Sequence, residues 1–117
     1  EIKMDGAIIV STPQEIALSD VKRGIRMFDK LKVNIIGLID NMSYFFGDDG
    51  KKYAIFGEGG VKKTANEFQK EFLGEIPINS EVGKQGDLGS PIVESKPDHE
   101  ISKIYLEFAN KVKSIYL

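Results

Sequence analysis

The sequence predicts an α/β fold in which three parallel strands are flanked by helices and carry one small hairpin. Three observations predict it. Short apolar runs without alternation, GAIIV, VNIIGLI and FLGEIPI, read as strands buried on both faces, as in a parallel sheet. The segments between them repeat apolar residues at helical spacing, which gives crossover connections that are right-handed in such sheets. An Asp-Gly pair set between aromatic residues reads as a hairpin turn.

The first strand is Gly6–Val10. STPQE follows it. Thr12 is placed to cap a helix, Pro13 to open it and Glu15 to complete a T-x-x-E capping box. Ala17, Val21, Gly24, Ile25, Phe28 and Leu31 then mark one face of a helix over Pro13–Leu31. The second strand is Val33–Ile39. The chain next leaves the sheet for an excursion over residues 43–57, with two strands between Phe45 and Phe56 turning at Asp49-Gly50, a type I′ pair. Gly57, Gly59 and Gly60 end it. A helix over Val61–Glu71 turns Val61, Ala65 and Phe68 inward, and Phe72–Ile78 is the third strand. Asn79–Glu94 has no clear period and contains glycines and a proline, so it reads as a loop with at most one helical turn. The last helix begins near Pro97 or Asp98 and buries Ile101, Ile104, Tyr105, Phe108 and Val112.

A length of 117 residues suits one domain or a piece of a larger one, and an apolar content of 41% supplies a core. The net charge of −2 offers nothing to nucleic acid or an anionic membrane. With no cysteine, disulfides, thiolate metal sites and cysteine nucleophiles are excluded, which fits a cytoplasmic protein. No apolar run reaches membrane-spanning length, and the N-terminus does not read as a signal peptide. A start at Glu1 directly before a strand, and an uncharged AIIV edge, suggest a cut from a longer polypeptide with strands before Glu1. That edge is expected to lie open, with Ile8, Ile9 and Val10 partly bare, and to make the chain self-associate.

In open α/β sheets, ligands gather at the carboxyl ends of the strands. Ser11–Gln14, Asp40–Ser43 and Ile76–Asn79 converge there. Asn41 offers a donor and an acceptor and can read a base edge; it can equally cap its own loop. Pro77 can wall a flat ring or simply end its strand. GEGGVKKT, Gly57–Thr64, can hold an anion or only cap its helix, and it lacks the G-x-x-x-x-G-K-[ST] spacing of a phosphate loop. Asp48 and Asp49 are explained by turn chemistry more simply than by a cation. His99, Lys51-Lys52 and Lys62-Lys63 read as solvated surface.

DGAIIVSTPQEIALSDVKRGIRMFDKLKVNIIGLIDNMSYF, IFGEGG, FLGEIPI and GSPIV together resemble the carboxyl-terminal half of the Mrp/ApbC family over nearly the whole chain. These are P-loop ATPases related to MinD, ParA and the nitrogenase iron protein. The resemblance implies a partial P-loop NTPase-like fold, a homodimer, ATP and magnesium in the parent protein, and carriage of a 4Fe–4S cluster to iron–sulfur clients; the charge balance gives no reason to add a nucleic acid or membrane partner. It implies that Asn41 reads adenine, that Pro77 and Ile78 pack against the base, and that Thr12–Gln14 form the turn beside the phosphates. The family's P-loop would precede Glu1. Where many members carry C-P-x-C after NMSYF, this chain has Phe46-Gly47-Asp48-Asp49-Gly50, so the cluster ligands are missing and the excursion keeps only its place. No catalytic residue is expected within these residues, and the isolated chain is expected not to hydrolyse ATP. The alternatives are a fragment of a MinD/ParA-type partitioning ATPase and a cysteine-free, non-catalytic dimerisation adaptor. The closing helix, with Lys103, Lys111 and Lys113 against Glu107, is too mixed in charge for a membrane face.

Overall fold

The computed structural model describes residues 4–116. Three strands form one sheet in the order β1-β2-β5: β1 is Ala7–Ser11, β2 is Ile35–Asn41 and β5 is Phe72–Ile76. Both pairings are parallel, as the apolar runs predict; Ser11 is level with Asp40, and Asp40 with Glu75. Helices α1 (Glu15–Lys30) and α2 (Gly60–Glu67) cover one face, and α5 (Glu100–Tyr116) covers the other. The first face buries Val21, Ile25, Leu38, Val61 and Ala65. The second buries Ile39, Leu73, Ile76, Ile101 and Phe108. Close approach sets the second face: Gly74 has φ 149°, and a Cβ there would meet the Phe108 ring at 2.8 Å. At the far end Tyr116 donates its hydroxyl to the Asp5 carbonyl (2.9 Å), tying α5 to the approach to β1.

Several boundaries differ from expectation, each for a local reason. α1 starts at Glu15, with Gln14 as N-cap and no side-chain cap bond. β1 runs on through Ser11, so Thr12 falls too early to cap, and its hydroxyl goes to Gln14 Oε1 (3.1 Å) instead. Leu31 is the C-cap and is exposed. Lys32 then takes φ 58°, and its N–H and that of Val33 return to the Asp29 and Phe28 carbonyls. That Schellman closure consumes Val33, and β2 begins two residues later than expected. α2 stops at Glu67 in the same way, with Gln69 at φ 56° and Lys70 N–H bonded to the Ala65 carbonyl at 2.8 Å.

The excursion is a true hairpin, β3 (Phe45–Phe46) against β4 (Lys52–Tyr53), with strands of two residues each. Its turn is not type I′ at Asp49-Gly50. A type I′ turn needs two left-handed residues, and here only Gly50 is left-handed, at φ 77°. The turn closes from Gly50 N–H to the Gly47 carbonyl (3.0 Å), and Asp49 accepts from Lys51 N–H (2.9 Å) and from the Tyr53 hydroxyl. Asn79–Glu94 is also not a loop: it holds α3 (Ser80–Asp87) and α4 (Ile92–Ser95). α3 buries none of its residues and relies on Asn79, whose Oδ1 accepts from Glu81 N–H at 2.9 Å. α5 begins at Glu100, and His99 is part of its start, its Nδ1 accepting from Ile101 N–H at 3.1 Å. Tyr105, expected in the core, lies at the rim and is 36% exposed.

The β1 edge is open among the described residues. Ile9 packs toward α1, whereas Ile8 and Val10 are 38% and 56% exposed.

Candidate functional site

The site is set by how β2 and β5 end. Asn41 is level with Ile76 in the ladder. Met42 then takes φ 55°, a conformation rare for a residue with a side chain. This single kink lets the pairing continue: Ser43 N–H donates to the Ile76 carbonyl (3.0 Å), and Ile78 N–H to the Tyr44 carbonyl (2.6 Å). The kink therefore clamps Asn41 and the Ile76–Asn79 exit side by side. Asn41, Pro77 and Ile78, the three residues singled out in the sequence, line one cleft of about 220 Å3 with Met42, Asn79 and Tyr105. Pro77 is buried and Asn41 is half-buried. The Asn41 amide makes no hydrogen bond among the described residues, while the Asn79 carbonyl oxygen is held by its cap bond. The Asn41 amide thus keeps both a donor and an acceptor free in the cleft.

Thr12–Gln14 are not part of this cleft. Pro13 packs instead on the glycine segment before α2. A Cβ at Gly57 would lie 3.0 Å from the Pro13 carbonyl oxygen, and one at Gly60 3.2 Å from it, so glycine is what lets the two segments touch. A polar cleft of about 540 Å3 opens beside this contact, lined in part by Glu15, Lys22, Lys63 and Glu67. Gly59, left-handed at φ 71°, caps α2 without a side-chain bond.

A group that the sequence reading did not single out sits in the sheet, level with Ser11 on one side and Glu75 on the other. Asp40 is 1% exposed, and its Oδ1 has no hydrogen-bond partner. Burial, then repulsion from Glu75, pushes its carboxyl up to about 6, against a smaller opposing effect of the Ser43 hydroxyl. The Ser43 hydroxyl donates its one proton to Glu75 Oε2 at 3.1 Å, between the two neighbouring acids. The signal for Asp40 was a carboxylate closing an apolar strand run, and it becomes legible only once the register puts Glu75 beside it.

With this geometry in view, the comparisons with known proteins are direct. The family described as ParA: NUBPL iron-transfer P-loop NTPase matches residues 1–113. The chain belongs to this family. Its relatives include the iron-sulfur cluster carrier protein of Aquifex aeolicus, 42% identical over 115 residues, a match covering 97% of this chain and 32% of the relative. The chain thus spans about a third of the length of the curated relatives it matches. Among solved structures, a nucleotide-binding protein from Archaeoglobus fulgidus in complex with ADP is similar at TM-score 0.62 and 40% identity, over 73% of this chain and 35% of that one. The cell division ATPase MinD of Pyrococcus furiosus superposes at TM-score 0.72 with 18% identity, over 95% of this chain and 43% of that one, a likeness of fold alone. NUBPL-family membership and the MinD-like α/β fold are therefore established.

Among the described residues, no helix is long and apolar enough to cross a membrane.

Proposed function

We propose that this chain forms the base-binding and dimerisation part of an ATP-binding iron–sulfur cluster carrier of the NUBPL family. The observation that carries the reading is the cleft that unites Asn41, Pro77 and Ile78 at the carboxyl ends of two adjacent parallel strands. An asparagine amide pairs in two-point fashion with adenine N6 and N7, and the buried proline offers a flat apolar wall. The Archaeoglobus relative, described as an ADP complex at 40% identity, supports a nucleotide in this family's fold.

The cleft holds a base but supplies no phosphate chemistry. Phosphoryl transfer rests on lysine and magnesium placed around the transferring group, and no lysine of this chain stands in a phosphate-loop spacing. Hydrolysis of MgATP would be the work of residues outside it. The hairpin does not fit a thiolate-held 4Fe–4S cargo. The chain has no cysteine, and one tip carboxylate, Asp49, is already taken by Lys51 and Tyr53. Homodimerisation, iron–sulfur clients and a cytoplasmic location belong to this reading. The same self-locked hairpin favours a second one, a cysteine-free adaptor that dimerises without carrying a cluster.

Titration of the isotope-labelled chain with adenosine and guanosine tests the base site. Adenosine should shift the amides of residues 41–44 and 76–79. Asn41→Ala should weaken it by about tenfold or more, as one good two-point base contact contributes about 1–3 kcal/mol of discrimination. Equal response to both nucleosides, or shifts elsewhere, would refute the assignment.

A further inference from the structure

We propose that Tyr105 is the second wall of the base cleft, stacking on the heterocycle from the side opposite Pro77; this rests on the base-binding reading above. The helical period of α5 places Tyr105 with Ile101, Ile104 and Phe108, residues that do pack inward. Yet Tyr105 is 36% exposed while Ile101 and Phe108 are buried, so part of its ring is left uncovered by the core. It lines the cleft with Asn41, Pro77 and Ile78, and its other side borders the apolar groove beside Ile39 and Phe108. Its hydroxyl has no hydrogen-bond partner among the described residues, although a tyrosine kept for structure commonly ties its hydroxyl down. Tyr116 on the same helix shows that usual role, bonded to both Asn34 and Asp5.

The dimensions agree with a ring slot. At about 220 Å3 the cleft is smaller than the roughly 300–1,000 Å3 of pockets that enclose drug-sized ligands. It suits one heterocycle, with sugar and phosphates outside. Gly83 of α3 also lines it, and a Cβ added there would meet nothing within 4 Å, so that side leaves the ring room to enter. The division of labour follows: Asn41 reads the edge of the base, while Pro77 and Tyr105 hold its two faces. Edge reading discriminates between bases, whereas face stacking is tolerant of base identity because every base has a π-face.

The test uses the 117-residue chain with adenosine as probe. Stacking losses on alanine substitution correspond to about a tenfold rise in Kd. Tyr105→Ala should show that rise while keeping a dispersed, folded spectrum. Tyr105→Phe should bind as the native chain does, because the ring is used and the hydroxyl is not. Native affinity in Tyr105→Ala, or an affinity loss in Tyr105→Phe equal to that in Tyr105→Ala, overturns the proposal while leaving the cleft assignment intact. If Tyr105→Ala does not fold, the native chain decides. Nuclear Overhauser contacts between the Tyr105 ring and adenine H2 or H8 support stacking, and their absence in a saturated complex overturns it. If adenosine moves no amide of residues 41–44 or 76–79, the base-binding reading itself has failed and this inference falls with it.

Discussion

The middle of the sheet and its β1 edge are built from the same kinds of residue and end in opposite conditions. In β2, Leu38 is packed under α1 and α2, and Ile39 under α5, so both faces are closed. In β1, Ile8 and Val10 are equally apolar but are left 38% and 56% exposed. They border a groove of about 630 Å3 that continues onto Ile39, Phe108 and Val112. Apolar character alone thus does not decide burial; a strand is closed only when an element stands on each side of it. An uncharged open strand with bare side chains is also a template for pairing with another chain.

The largest expected effect measures this contrast directly. Leu38→Ala should lower stability by about 2–5 kcal/mol, because it removes a fully enclosed side chain and leaves a cavity. Val10→Ala should stay within about 0.5 kcal/mol, because little is removed from cover. Denaturant unfolding of the two variants at low concentration gives both numbers, and equal losses would mean that the β1 edge is covered in solution.

The second effect concerns a buried group in the closed region. The folded Asp40 carboxyl, near 6, lies above its ordinary value of 3.8, so the folded state holds the proton more tightly than the unfolded chain does. Its contribution is therefore fully present below about pH 4 and is lost as pH rises to about 6, a decline of about 2–3 kcal/mol. Asp40→Asn should remove this slope. The variant should gain on the native chain between pH 4 and 7, and parallel pH–stability curves would show that Asp40 is solvated.

The open edge predicts an effect on association rather than folding. Light scattering across a dilution series should show the chain self-associating, and Val10→Lys should shift it toward monomer by placing a charge on the exposed strand. A native chain that stays monomeric at every concentration would remove the β1 edge as the contact.

What was legible in the sequence follows from the same contrast. The three strands, their parallel order and most of both cores could be read because unbroken runs such as IIGLI and AIIV have few other uses. Asn41, Pro77 and Ile78 could be placed together because strand ends converge in such sheets. α3 could not be read: Gly83 and Gly86 lower its helix propensity, it buries no residue, and it hangs on one asparagine cap. Tyr105 was misplaced because periodicity says which way a side chain faces and not whether anything stands opposite. Asp40 needed the register, which no single strand carries. The helix ends were misread where the left-handed residue that closes them is Lys32 or Gln69 rather than the glycine that usually marks such a place.

Those two positions carry the smallest prediction. A left-handed conformation costs an L-residue about 1–2 kcal/mol relative to glycine in the folded state. Glycine gives back about 0.5–1 kcal/mol of that through the greater freedom of its unfolded chain. Gln69 is exposed and its side chain makes no hydrogen bond among the described residues, so Gln69→Gly removes strain without removing a contact. The net gain should be about 0.5–1 kcal/mol, or about 4 °C in Tm. At Met42, φ 55° belongs to the kink that aligns Asn41 with the β5 exit, and the Met42 side chain lines the cleft. Met42→Gly should relieve similar strain but also removes a side chain that is only 36% exposed, so its stability should gain less than that of Gln69→Gly and its adenosine affinity should fall. Gln69→Gly should raise stability and leave affinity alone. If both variants leave affinity unchanged, the strained residue at the site is only a turn, and the closed end of the sheet positions Asn41 without it.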